Sequence, residues 1–546
     1  MKISRQDSHL PDGGRFAYRR AFSMRRELLA PLSLLLVLGL LAAGYGLGWH
    51  VPLARYLRSQ VLSIWSRSSL PTLYLDVAFQ DAQRLQAQRQ HALATGAYIP
   101  APGEAISATA RLADQLVPIQ IDLLGGIVEP GQAGGWKIKL ATLNGRALLG
   151  WRHLGLSPWS MAAWGLGANL ELEGGAGLSV QPVWLVLNGD ALGLYGAWPA
   201  SVAELIAQRD CPDQLSESAL DCVRPGSVAY FDYTLYWQEW QRQRGEGLSP
   251  TLVDLSNCQA AVARTWDGSP GASEAVSLLS DLQGGSRAPS DVLDVERVAT
   301  WLALATLWQG NPPGDWTGLA FYLDPATARL EPIVRGEQLS AASSGELEWP
   351  ACFDDPLIQA AYVRALERIS RPDYLQWLRA ELGQPFELVQ GLGGEPELGW
   401  DELAARQERI ARWLRPSQAV WASWAAPQVP APDAVVRVSL ANLQRVPVHV
   451  LGFDLGQSTF LPLDPAWVED GQDVLVEGDL GAEPAGGILL RAADGRRQRF
   501  VSLALPYTRV FSAARAPGES LDIRVLTQLS GQARRQSAPV RLSLKP

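Results

Sequence analysis

From Leu28 to Trp49 the chain carries no charged residue: LLAPLSLLLVLGLLAAGYGLGW. As a helix these 22 residues would be about 33 Å long, enough to cross a hydrocarbon core of roughly 30 Å. A run this long and this apolar constrains the chain more than any other feature. Arg19, Arg20, Arg25 and Arg26 precede it, and Tyr45 and Trp49 lie at its far end. The positive-inside bias then leaves residues 1–27 as a basic cytoplasmic tail and exports the rest. A cleaved signal peptide has an apolar core of about 7–15 residues, so the run reads as an uncleaved, single-pass inner-membrane anchor. Residues 50–69 follow as a juxtamembrane segment.

Charge excludes one class of partner. The formal net charge is −9, although residues 1–27 hold seven basic and three acidic residues. The remainder is therefore strongly acidic and offers no footprint for nucleic acid. Only four residues are lysines, Lys2, Lys137, Lys139 and Lys545, which makes the neighbouring Lys137 and Lys139 conspicuous. Cys211, Cys222, Cys258 and Cys352 form no CxxC pair, and no histidine cluster accompanies them, so a zinc site is not indicated. In an oxidising compartment Cys211 with Cys222 and Cys258 with Cys352 is one of three pairings; buried free thiols are the alternative.

Hydrophobic periodicity divides the exported part. Strand-like runs at 72–79, 106–114, 116–126 and 136–141 surround a helix over 82–96. VWLVLNGDALGLY, 183–195, reads as a buried strand stopped by Asn188-Gly189, with Gly193 and Tyr195 beyond. SVAYFDYTLYW, 227–237, reads as one strand, and 241–290 as loop with one short helix. DVLDVERVATWLALATLWQG, 291–310, is the strongest helix, followed by a hairpin over 319–334 and helices over 356–382, with a break at Pro372, and 400–414. Residues 426–434, APQVPAPDA, read as a linker. Only strand-like runs follow, which predicts a β-sandwich-like domain over 435–546.

Taken in order, LPTLYLDV (70–77), VPIQIDLLGG, WKIKL, LLGWRHLGL (148–156), VWLVLNG…GLY, VLDVERVATWLAL (292–304) and FYLDPATARLEPI (321–333) resemble the spore-coat protein H (CotH) kinase-like family over roughly 70–380, which places a kinase-like domain at 70–425. The resemblance implies an α+β, atypical kinase-like body that binds ATP and Mg²⁺ and phosphorylates protein hydroxyls. It makes Gly189 and Gly193 sheet-turn glycines, with a phosphate loop as the other reading. Lys139 matches a retained basic residue of the family, with Lys137 on the same face. If a nucleotide binds, these are its cations; otherwise they are solvent-facing lysines on an edge strand.

Departures from the pattern bear on activity, because phosphoryl transfer needs cations on the phosphates and carboxylates on the metal. Asp122 stands where the family has Arg, Ala133 near its Lys, and Pro199 near its Glu. Gly336 occupies the position of the expected metal-holding Asp, with Glu337 one residue on. Glu337 and Asp315 are then the remaining candidates for the catalytic and metal-binding carboxylates. The reading that follows is a membrane-anchored, extracytoplasmic kinase-like protein, degenerate in its site, acting as a binding or scaffold protein on an envelope protein partner. The alternatives are an active ATP- and Mg²⁺-dependent kinase, or a carbohydrate-binding protein using Trp159, Trp164, Trp237 and Trp240.

Overall fold

Alternation of apolar and polar residues dictates the first half of the fold, seen in a computed structural model. It describes residues 70–546 except 101–102, 128–134, 176–179, 202–203, 205–227, 246–261, 266–271, 310–318, 334–352, 391–397, 426–432, 456–458, 470–473, 476–486, 494–498, 511–520, 533–535 and 543–546. Strand β1 (Thr72–Val77) buries Leu73, Leu75 and Val77 and turns Asp76 to solvent. Helix α1 (Phe79–Thr95) follows and ends on Gly96, whose N–H donates to the Ala92 carbonyl and whose positive φ turns the chain out of the helix. Next come β2 (Ala97–Tyr98), β3 (Ile106–Leu112), β4 (Gln115–Leu123), β5 (Gly126–Ile127), β6 (Ile138–Thr142) and β7 (His153–Pro158). After α2 (Met161–Leu172), β8 (Gln181–Leu187) and β9 (Asp190–Pro199) complete the set.

Seven of these strands close into a barrel in the order β1-β3-β4-β6-β7-β9-β8. Every neighbour pair is antiparallel except β1–β8, which is parallel and closes the ring. The interior is filled by side chains such as Leu75, Ile119, Ile121, Leu140, Leu156 and Leu185, as expected of a barrel this small. Asn188 (φ 50°) and Gly189 (φ 89°) both adopt the left-handed conformation between β8 and β9, the geometry a two-residue hairpin favours. Asn188 also ties β8 to β1: its N–H donates to the Leu75 carbonyl at 2.9 Å, and its Oδ1 accepts the Val77 N–H at 2.7 Å. Gly193 (φ 105°) sits where the β8–β9 register slips by a residue.

The chain then builds a helical body on a second sheet. β10 (Val228–Asp232), α3 (Thr234–Gly245), β11 (Val262–Thr265), α4 (Ala272–Gly284), α5 (Pro289–Val292) and α6 (Val295–Gln309) lead into the hairpin β12 (Ala320–Asp324) and β13 (Arg329–Ile333). The sheet order is β11-β10-β12-β13. α7 (Pro356–Ile369), α8 (Pro372–Gln390) and α9 (Trp400–Trp413) follow. The expected strand over 227–237 breaks at Asp232, whose carboxylate accepts the Thr234 N–H at 2.9 Å and opens α3. Helix α6 is buried almost all round, through Trp301, Leu302, Leu304, Leu307 and Trp308. Its last carbonyls, at Leu307 and Trp308, accept from the Arg406 guanidinium of α9, a cation at the helix's negative end.

The remaining strands are β14 (Val420–Ala425), β15 (Val435–Asn442), β16 (Val448–Asp454), β17 (Phe460–Pro462), β18 (Val474–Leu475), β19 (Ile488–Leu490), β20 (Val501–Pro506), β21 (Leu521–Leu529) and β22 (Gln536–Leu542), with α10 (Tyr507–Val510) after β20. β14, β15 and β20 form one sheet, and β18-β19-β16-β21-β22, with β17 beside β16, form another. Their inner faces share a core in which Trp424 meets Phe453 edge to face, with ring centroids 4.9 Å apart. The same core continues into α6, α7 and α9, and residues 70–546 form one compact unit.

Two expectations are corrected. The predicted α+β kinase-like body with a transmembrane helix and a β-sandwich-like domain is instead a mixed fold with a closed seven-stranded barrel, a four-stranded sheet carrying helices, and two further sheets. β8 returns to β1 and closes the ring before β10 begins, so the later strands form separate sheets. The single-pass inner-membrane placement is corrected as well. Among the described residues no helix is long and apolar enough to cross a membrane. The longest, α8, has 19 residues but carries Asp373, Arg379, Glu381 and Glu387, and the apolar α6 has only 15. The run Leu28–Trp49 lies outside the described residues.

Asn188→Ala removes the acceptor for Val77 and forces a Cβ-bearing residue without a local hydrogen bond into a left-handed turn. A destabilisation of about 2–3 kcal/mol is expected in urea unfolding. Asp232 gives a pH test. Burial pushes its pKa up, but the Thr234 hydrogen bonds and the Arg264 guanidinium outweigh this and hold it below the ordinary 3.8. Its contribution is complete above the unfolded-state value and is lost as pH falls through the lower folded-state value. The stability gap between wild type and Asp232→Asn should therefore narrow as pH falls through the unfolded-state value of 3.8 and on through the lower folded-state value, read as urea midpoints.

Candidate functional site

The outer wall of the barrel carries the two lysines. Ile138 and Leu140 point into the barrel, so Lys139 lies half-buried on the opposite face of β6, and Lys137 just precedes the strand. The β4–β6 register sets Lys139 directly opposite Asp122, and the β6–β7 register sets Gly155 on its other side. A side chain at 155 would collide with the Trp198 ring, which packs over that glycine and belongs to the larger core. Lys139 therefore stands between a carboxylate and the seam where the barrel meets the helical body.

Asp122 is held in place. Its Oδ1 accepts the Tyr98 hydroxyl at 2.8 Å and the Leu123 N–H at 2.8 Å. Tyr98 reaches Glu104 as well, at 3.4 Å. Burial, and then the bond to Asp122, push the Tyr98 phenol far above its usual range, so it remains a donor. Directly opposed residues on neighbouring strands have Cβ atoms roughly 5 Å apart. A negatively charged ligand drawn to Lys139 is also repelled by Asp122, which offsets part of that attraction.

Tyr195 lies nearby but turns inward. It is buried in the barrel core, and its hydroxyl accepts the Trp136 N–H at 2.9 Å. Burial raises its pKa, against the opposing effects of that hydrogen bond and of Arg89. Arg89 of α1 stacks over the Trp136 ring at 4.8 Å. Tyr195 thus locks the segment leading into β6, while Asn188, Gly189 and Gly193 shape the hairpin that brings it there. Asp315 and Glu337, the proposed catalytic and metal carboxylates, and all four cysteines lie outside the described residues. Among the described residues, no group of three His, Cys, Asp or Glu side chains is placed to hold a metal ion. Of the four tryptophans of the carbohydrate reading, Trp164 is buried, and Trp159 and Trp237 pack against the core.

A second polar cluster escaped the sequence reading. At the end of α2, Glu173 Oε1 accepts from the Arg368 guanidinium and from the Tyr374 hydroxyl at 2.9 Å. The same hydroxyl reaches Asn169 Oδ1 at 3.0 Å, and Arg297 donates to the Glu173 carbonyl at 3.3 Å. Asn169 is fully buried, and its Nδ2 has no partner. Desolvation, first, and the Glu173 charge raise the Tyr374 pKa far above the usual phenol range. With its carboxylate already engaged, the cluster ties α2, α6, α7 and α8 together rather than offering a free base. The one sequence signal was Asn169, followed by Glu171 and Glu173 at the end of an apolar run.

In comparisons with known proteins, no family model and no curated protein matches the chain.

Tyr374→Phe would leave Asn169 Oδ1 buried without this donor. It should destabilise the protein by about 1–3 kcal/mol in thermal or urea unfolding, whereas Arg364→Ala, which breaks the exposed pair with Glu296, should cost less than about 1 kcal/mol.

Proposed function

We propose that this protein binds or scaffolds partners and does not transfer phosphate, despite the motifs in which it resembles the CotH kinase-like family. One observation carries the reading: Asp122, standing where that family has an arginine, directly opposes Lys139 and is fixed by Tyr98. Phosphoryl transfer depends on preorganised positive charge around the phosphates. A carboxylate fixed beside the lysine offsets that charge and repels an incoming polyphosphate. The sequence departures at Ala133, Pro199 and Gly336 point the same way.

Nucleotide binding to the full chain, measured by titration calorimetry with and without Mg²⁺, tests the proposal. No saturable ATP binding is expected at about millimolar concentration, and no phosphate transfer to the protein itself or to added polypeptide. Asp122→Asn should strengthen nucleotide retention about tenfold by removing roughly 1.4 kcal/mol of repulsion. Tight, Mg²⁺-dependent binding by the wild type, accompanied by phosphate transfer that Lys139→Ala abolishes, would establish a working kinase instead.

A further inference from the structure

The outer face of the β14–β15–β20 sheet is arranged in rows. The registers align Ser423, Ser439 and Ser502 across the three strands. One row toward one end, Trp421 lies opposite Ala441, with Phe500 on the far side of that alanine just before β20. Their rings meet edge to face with centroids 5.4 Å apart, although Trp421 is 37% and Phe500 46% exposed. Exposed Leu443 extends this end, and exposed Val435 lies at the opposite end. Large apolar side chains gathered on one face mark a contact surface, and the edge-to-face pair fixes the Trp421 ring before any ligand arrives.

The layout selects among occupants. None of the three serine hydroxyls has a hydrogen-bond partner among the described residues, so each can both donate and accept. Strand spacing puts them about 4.8 Å apart, and the aromatic row lies roughly 7 Å away along the strands. Arg437 is the ionised side chain in these rows, and it is paired with Glu469 at 3.5 Å. The face therefore presents little net charge to steer an anion or a charged peptide, and a neutral ligand matches it. Interfaces between protein copies put apolar residues at the centre and polar ones at the rim; here the hydroxyls hold the middle and the apolar groups the ends.

We infer that this face binds a neutral saccharide chain of all-equatorial pyranose rings. The apolar C–H face of one ring stacks on Trp421, and the hydroxyls of the next meet the Ser423–Ser439–Ser502 row. Flat rings of this type fit the Ser423–Ser439–Ser502 row, whose short side chains let the ligand approach the strands closely. The assignment does not depend on the Lys139 region: a failed saccharide test leaves the nucleotide result untouched, and the reverse also holds.

Titration calorimetry of the full chain with cellohexaose, a β-linked all-equatorial hexasaccharide, decides the matter. Saturable binding by the wild type is expected, at least about tenfold weaker in Trp421→Ala, as for loss of about 1.4 kcal/mol, and several-fold weaker in Ser439→Val. Unfolding midpoints verify that both variants fold; should Trp421→Ala fail to, Phe500→Ala and Ser439→Val carry the comparison. Absence of binding by the wild type, or equal binding by the folded variants, overturns the inference. So does sedimentation showing a dimer that Trp421→Ala dissociates, because the face would then be an interface between two copies.

Discussion

The parallel pairing of β1 with β8 is the contact on which the rest of the architecture rests. Without it the seven strands are an open, twisted ribbon with two exposed edges. With it they become a closed wall whose inside is filled and whose outside can carry polar groups. Asn188 acts on both sides of that closure, since its backbone continues the β1–β8 ladder while its side chain satisfies Val77. The position of Lys139 beside Asp122, and of Gly155 beneath Trp198, follows from the registers of this wall.

The helical body is joined by a different kind of contact. Apolar burial supplies most of the cohesion, yet the ends of its helices are satisfied by side chains from other elements. Asp355 opens α7 by accepting the Leu357 and Ile358 N–H groups, and its second oxygen takes the Ser290 N–H from α5. Gln407 of α9 donates to the carbonyls of Ile369 and Arg371, at the end of α7 and just beyond it. Terminal backbone groups that would otherwise be buried without partners thereby fix how the helices are oriented. The cluster around Glu173 plays the same part for α2.

Local chemistry explains which parts of this arrangement were legible in the sequence. The hairpins at Asn188-Gly189 and at 325–328, helix α6 and the break at Pro372 are written in short-range signals: turn residues, periodicity and proline. Strand periods along β1, β3, β4 and β6 were equally readable. Barrel closure was not, because pairing Leu73 with Leu185 joins residues far apart in the chain and leaves no mark on either segment. The run SVAYFDYTLYW looked like one strand because its aromatics suit a sheet, and only the Asp232 cap shows where it turns helical. Helix α2, rich in glycine and alanine, has almost no polar face, so periodicity could not reveal it. At the candidate site, the odd residue Asp122 could be seen, but its opposition to Lys139 depends on register, which sequence alone does not give.

β14 and β15 lie on either side of the proline-rich stretch 426–434 and pair with each other from Val420–Asn442 to Ala425–Arg437. Trp424, on the earlier strand, also fills the core beneath Phe453. A nick in that stretch would therefore leave the two fragments clasped by a full ladder of backbone hydrogen bonds. Protease-cut protein should migrate as one particle until denatured, with the cleavage visible only when the pieces are forced apart.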